Sequence, residues 1–250
     1  MAPPEFPRVV GIVLAAGAGE RLGAGIPKAL VEVGGRPLVQ WAVLNLRAGG
    51  VSDVVVTVAP GEDVGPWAAA VQSSAAPVHL ARCGGPTRAE SVRDTVRALD
   101  GLLGPDPVDI VLVHDAARAF VPPAVVARVI AALRGGAAAV APAIPVVDSL
   151  REVEHDDGER SRPFDRSRLR AVQTPQGFPY PVLLAAHAEA HPDATDDLVV
   201  VEAAGFPVTL VAGDERAFKV TRPLDLALAR AVAADGVPAR HDIANTEVSA

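Results

Sequence analysis

Apolar residues along the chain gather in short unbroken runs, separated by stretches in which they return at every third or fourth position. The runs at 9–14 (VVGIVL), 53–58 (DVVVTV), 78–81, 109–113 (DIVLV) and 138–141 are apolar on consecutive positions and rich in β-branched residues. Runs of that kind suit strands buried on both faces, as in a parallel sheet. Helical spacing marks 38–48, 88–99 and 122–134. Strands alternating with helices over this length predict an α/β fold, a mostly parallel twisted sheet flanked by helices, with ligands gathering beyond the carboxyl ends of the strands.

The alternation fails over about 146–170, where VVDSLREVEHDDGERSRPFDRSRLR is densely charged. Two readings stand: a disordered insertion, or an extended hairpin in which VVDSLREV pairs with RLRAVQT. Such a hairpin needs a partner to bury its apolar side, and a protruding β-arm packed on a second subunit supplies one. Helical patterns resume at 181–190 and 196–204. They are followed by a strand-like VTLVAG, a short AFKV strand with Lys219 near its end, and a helix over about 222–234. A single domain over 1–235 and a flexible C-terminal tail over 236–250 are expected.

Composition narrows the partners. Half of the 250 residues are hydrophobic, 21% are charged and the net charge is −7, a balance that folds and stays soluble. An acidic chain has no overall attraction for nucleic acid or an anionic membrane, so an anionic ligand must meet a local basic cluster. Cys83 is the only cysteine, which excludes an intrachain disulfide and fits a reducing compartment. No apolar run is long enough to span a bilayer, and the start MAPPE lacks the basic and apolar segments of a signal peptide, so a cytoplasmic location is expected.

Four segments carry candidate chemistry. Directly after the first run, LAAGAGERLGAGIPKAL offers Gly17 and Gly19, whose backbone N–H groups can close on an anion, and two cations, Arg21 and Lys28. The spacing fits neither a Walker loop nor the dinucleotide fingerprint. A flexible turn with two solvated cations is the other reading. GGPTRAESV opens a helix with Arg88 and Ser91 near its start, as a ligand site or as an ordinary cap. VHDAAR sets Asp115 just past a buried strand, to hold Mg²⁺ or to pair with Arg118. The last group comprises Asp148, Ser149, Arg166, Thr174, Thr195 before two aspartates, and Lys219; Thr195 alone would serve as a helix cap. There is no serine triad order and no Cys/His cluster, so cations, hydroxyls and a strand-end carboxylate remain, a set suited to phosphoryl or nucleotidyl transfer.

In order, LAAGAGERLGAGIPKAL, GGPTRAESV, VHDAAR, PVVDSL, TPQGF, TDDL and FKVTRPLDL resemble the 2-C-methyl-D-erythritol 4-phosphate cytidylyltransferases, from about Val9 to Ala233. The resemblance implies a Rossmann-like nucleotidyltransferase fold, a homodimer exchanging β-arms, CTP as co-substrate, and Mg²⁺ or another divalent cation. Ala15, Ala16, Gly17 and Gly19 would wrap the CTP phosphates. Arg21, Lys28 and Lys219 would be the catalytic cations. Gly85, Arg88 and Ser91 would face the base and ribose, and Asp115, next to Ala116, would lie beside the metal. Arg118, Asp148, Ser149, Arg166, Thr174 and Thr195 would receive a sugar-alcohol phosphate, Ser149 and Arg166 crossing from the neighbouring subunit. Pro86 and Thr87 depart from the acidic residues of many relatives, Ser149 replaces the commoner Thr, and Ala119 stands where Pro is usual. Ribitol 5-phosphate is the rival acceptor, and a nucleotide-binding sensor is the reading without catalysis.

Overall fold

A computed structural model describes residues 8–17, 25–72, 77–83, 87–153, 160–189 and 194–235. The first half contains β1 (Val9–Leu14), a 3-10 turn (Lys28–Leu30), β2 (Glu32–Val33), β3 (Arg36–Pro37), α1 (Leu38–Ala48), β4 (Asp53–Thr57), α2 (Gly65–Val71), β5 (Val78–Ala81) and α3 (Arg88–Leu103). It continues with β6 (Ile110–Asp115), α4 (Pro123–Arg134), β7 (Ala139–Pro145), β8 (Leu150–Val153), β9 (Ser161–Phe164), β10 (Arg170–Val172) and β11 (Gln176–Pro179). α5 (Tyr180–Ala186), α6 (Asp197–Ala203), β12 (Val208–Ala212), a second 3-10 turn (Glu215–Ala217) and α7 (Pro223–Asp235) complete it. The tail expected over 236–250 lies outside the described residues.

β5, β4, β1 and β6 are parallel neighbours, as their continuous apolar runs require. β11 enters antiparallel beside β6 and meets β7 on its other side, and β12 lies parallel to β7. β10 also runs antiparallel to β7. Arg170 faces Pro145 while Gly177 faces Val140, so β10 and β11 are two halves of one strand, with two extra residues bulging between them. That bulge carries Thr174. In register, Leu14 stands opposite both Thr57 and Asp115, and Thr57 opposite Ala81. Four strands therefore end together at one rim of the sheet.

Alternate residues of the strands feed two apolar layers. Val13, Val54, Val56 and Leu112 pack with α1, α2 and α4 on one face. Val10, Ile12, Val55, Val111 and Val113 pack with α3, α5 and α6 on the other. A third cluster joins Val33, Leu38 and Trp41 to Phe120, Val220 and Ala229, which ties the β2–β3 hairpin and α7 to the segment after β6.

Three expectations need correction. VVDSLREV does not pair with RLRAVQT; β8 pairs with β9, Leu150 opposite Phe164 and Val153 opposite Ser161, while β10 returns to the central sheet. Val172 explains the difference, because it packs into the layer beneath α3 and α5, whereas most of the β8–β9 ribbon is exposed. AFKV is not a strand. Asp214 caps the 3-10 turn through the Arg216 N–H (2.8 Å), and the following segment is fastened by the Val220 N–H to the Ala117 carbonyl (2.9 Å). Nor does Thr195 cap α6: Asp196 does, accepting from the Val199 N–H at 3.1 Å.

β11 passes under α4 at a point where no side chain fits. A Cβ at Gly177 would lie within 2.8 Å of Val129, Leu133 and Leu112. Gly177→Ala is expected to lower the unfolding free energy by about 1–3 kcal/mol through overpacking, read from urea denaturation. A variant as stable as the parent would show that α4 does not press on this strand.

Candidate active site

The rim is built from strand ends. β1 delivers Ala15, Ala16 and Gly17, with Ala15 buried and its N–H donated to the Thr57 hydroxyl at 3.1 Å. Lys28 opens the 3-10 turn on the far side of the glycine-rich loop and is half-buried. Gly19, Arg21 and Gly85 lie outside the described residues.

α3 starts at the rim because Thr87 and Glu90 form a capping box. The Thr87 hydroxyl accepts from the Glu90 N–H (3.2 Å), and the Glu90 carboxylate accepts from the Thr87 N–H (3.0 Å). This fixes Arg88 as the first helical residue. Ser91 is buried and donates its hydroxyl back to the Thr87 carbonyl at 3.1 Å.

Asp115 ends β6 at the centre of the rim. Lys219 Nζ approaches its Oδ2 to 2.8 Å and Arg88 Nε its Oδ1 to 3.6 Å. Burial opposes ionisation of Asp115, but the charges of Arg88 and Lys219 outweigh it and hold the carboxyl well below the usual carboxylate range. Arg118 makes no pair with Asp115. Its terminal nitrogens donate to the carbonyls of Ala217 (2.7 Å) and Val172 (3.3 Å), so it braces the Lys219 segment against β10. Phe218 stacks on Phe120 at 6.3 Å and fastens the same segment from its apolar side. Lys219 is thereby presented to Asp115 while its own side chain stays 45% exposed.

Thr174, in the bulge, binds two backbone-adjacent groups at once. Its Oγ1 accepts from the Asp115 N–H (3.1 Å) and lies 2.9 Å from His114 Nδ1. A hydroxyl keeps a second lone pair as well as its hydrogen, so Thr174 donates to Nδ1 or accepts from it according to the imidazole tautomer. Burial pushes the His114 pKa down to about 4, which leaves the imidazole neutral near pH 7. Asp148, Ser149 and Arg166 lie away from this cluster, exposed on and beside the β8–β9 ribbon. Thr195 is exposed just before α6.

Sequence reasoning misses a second tier. Asp197 is fully buried, grips Arg88 Nη1 through Oδ2 at 2.5 Å, and receives His187 Nε2 on Oδ1 at 3.1 Å. Its own N–H donates to Gln176 Oε1 (3.3 Å). The double aspartate of TDDL is the available signal for Asp197; nothing in the sequence marks His187. Burial works against the Arg88 charge, but Asp197 and Asp115 together raise its pKa. The cluster thus gathers Arg88, Arg118 and Lys219 around Asp115 and Asp197, with Asp196 also within reach of the Arg88 charge.

His114 generates a pH dependence. The unfolded chain takes up this proton near pH 6.5 and the folded one near 4, so the unfolded state binds more protons between those values. The unfolding free energy is expected to fall as pH drops through that window, by up to about 3 kcal/mol from this group. Urea titrations of the parent and His114→Asn check it, and equal slopes in the two proteins would reject it.

A model of the 2-C-methyl-D-erythritol 4-phosphate cytidylyltransferase family matches residues 9–235. Enzymes of that name from Frankia casuarinae and Nocardia farcinica are each 47% identical to this chain, covering 95% and 88% of it and 85% and 92% of their own lengths. The crystal structure of the enzyme so named from Thermus thermophilus aligns with a TM-score of 0.71 at 37% identity, over 90% of this chain and 98% of that one. A crystal structure of 4-diphosphocytidyl-2C-methyl-D-erythritol synthase aligns at 0.75 and 32% identity, over 91% and 99%. Likeness of this extent, in sequence and in fold, reaches both ends of the rim, and the chain belongs to the 2-C-methyl-D-erythritol 4-phosphate cytidylyltransferase family.

Proposed function

We propose that the protein transfers a cytidylyl group from CTP to 2-C-methyl-D-erythritol 4-phosphate, forming 4-diphosphocytidyl-2-C-methyl-D-erythritol and pyrophosphate. The observation that carries the chemistry is Asp115 at the end of β6, flanked by Lys219 and Arg88 on the rim where β1 leads into Ala15, Ala16 and Gly17. An oxygen of the acceptor phosphate bonds to the α-phosphorus of CTP, and the bond from that phosphorus to the bridging oxygen breaks, with both electrons leaving on pyrophosphate. No general base is needed, because the phosphate monoester is already ionised near neutral pH. The obstacle is repulsion between two anions, so the work of the protein is to hold them in line and neutralise charge.

Each residue takes a part in that work. The backbone of Ala15, Ala16, Gly17 and Gly19 cradles the triphosphate. Arg21 and Lys28 neutralise its charge from one side and Lys219 supports the α-phosphate from the other. Gly85, Arg88 and Ser91 face the nucleoside. Arg118, Asp148, Ser149, Arg166, Thr174 and Thr195 form the acceptor side, Thr174 and Arg118 through the backbone that they hold in position. Asp115, followed by Ala116, is the residue for Mg²⁺ or another divalent cation. A single hard carboxylate fits an ion that takes its remaining oxygens from phosphates and water. Held by Asp115, such an ion would supply positive charge to neutralise part of the charge on the phosphates.

The β8–β9 ribbon supports a homodimer. Val147, Val153 and Phe164 expose apolar side chains on or beside it, 76%, 53% and 45% accessible, which a second subunit would cover. In this reading residues 1–235 form one domain, 236–250 form a flexible tail, and the enzyme works in the cytoplasm. Among the described residues no helix is long and apolar enough to cross a membrane.

Pyrophosphate release with Mg²⁺, comparing CTP with UTP, ATP and GTP and methylerythritol phosphate with ribitol 5-phosphate, tests the assignment. Selective turnover of CTP with methylerythritol phosphate is expected; preference for ribitol phosphate would overturn the acceptor, and no turnover would overturn the enzyme. Lys219→Ala and Lys28→Ala should each cost about 2–4 kcal/mol of transition-state stabilisation. If the arm crosses between subunits, mixing inactive Lys28→Ala and inactive Arg166→Ala chains restores turnover in one site of each mixed dimer. Failure to restore it after subunit exchange would place Arg166 on its own subunit's site.

A further inference from the structure

The buried tier behind Arg88 has no part in the chemistry above, yet it is built to a definite geometry. Arg88 opens α3, Asp197 opens α6 and His187 closes α5, so three helix ends meet around one carboxylate. Asp197 is wholly buried and His187 is 3% exposed. A carboxylate only accepts, so His187 must donate its Nε2–H to Oδ1. That contact engages Oδ1, and Arg88 meets the other oxygen, Oδ2.

The consequence concerns the shape of the Arg88 grip. A guanidinium meeting a carboxylate with both oxygens open turns to engage it with two parallel N–H donors. Here Oδ1 already accepts from His187, which competes with a second Arg88 donor for it, and Arg88 holds Asp197 through Nη1 only. Its Nε is left toward Asp115 at 3.6 Å, and Nη2 is buried with no hydrogen-bond partner among the described residues. An unpartnered buried donor on a fixed cation is costly unless a ligand oxygen or water answers it.

We propose that His187 and Asp197 are positioning residues: Asp197 anchors Arg88, and His187, by competing for Oδ1 and orienting the carboxylate, biases the guanidinium to a single-point grip that leaves its Nη2 open to the nucleotide. The inference rests on the reading that Arg88 faces bound CTP. It concerns residues that touch neither substrate, so their effect must pass through Arg88.

The test is steady-state kinetics and direct CTP binding on four variants. His187→Leu removes the donor, and KM for CTP is expected to rise about tenfold, the order of one hydrogen bond to a charged group, with kcat at saturating CTP and KM for the acceptor unchanged. His187→Gln offers an amide donor near the position of Nε2 and is expected to recover the parent KM. If His187→Leu does not fold, His187→Asn, whose amide stops short of Asp197, carries the same test. Arg88→Ala separates the two readings. If Arg88→Ala leaves CTP binding unchanged, the placement of Arg88 at the nucleotide is wrong. If Arg88→Ala weakens CTP binding while His187→Leu or His187→Asn lowers only thermal stability, or if His187→Gln fails to recover KM, the positioning role is overturned.

Discussion

A negative charge at the end of a strand buried on both faces must be compensated, and Asp115 is that charge. β6 has apolar neighbours on either face along most of its length, so its carboxylate cannot retreat into water by bending away. Cations have to be brought to it. Arg88 comes from the first turn of α3, fixed by a capping box, and Lys219 from a segment that Arg118, Val220 and Phe218 fasten to the backbone after β6. The bulge between β10 and β11 then delivers Thr174 to the Asp115 amide. Much of the irregular structure at this rim follows from placing one carboxylate there and pairing it.

How much of this is legible in the sequence depends on whether a feature is local. β1, β5 and α1 fall at the limits that hydrophobic periodicity gives, because strand burial on both faces and an amphipathic helix each leave a period in the chain. α2 and β11 leave little trace. GPWAAAV is seven residues, too short to show a helical period, and QGFP is four residues with a glycine and a proline, whose strand pairing comes from β6 and β7 on either side. The β8–β9 pairing escapes the sequence for the same reason. A charged segment has no apolar period to set register, whereas Val172 has a core to enter and takes β10 with it.

The site divides along the same line. Asp115, Arg88 and Lys219 are recognisable from their motifs, and they do converge. What the motifs do not convey is the partner of each: Arg118 belongs to carbonyls of Ala217 and Val172, far along the chain, and Ser91 to its own helix start. The tier of Asp197, His187 and Gln176 is assembled from three separate elements by tertiary packing. A buried histidine there is indistinguishable in sequence from any histidine at a helix end.

Pairing also decides what the rim can accept. Three cations gathered without counter-charges would repel one another in a site partly withdrawn from water, and the fold would lose stability to hold them. Asp115 and Asp197 remove that cost, but unequally. Asp197 is sealed from solvent and cannot exchange its partner, whereas Lys219 is nearly half exposed and meets Asp115 at the open edge. An arriving polyanion can therefore compete for Lys219 but not for the Arg88 anchor. The rim is preorganised on one side and exchangeable on the other; in the proposed reaction this arrangement orients the nucleotide before Lys219 is drawn from its carboxylate to the phosphates.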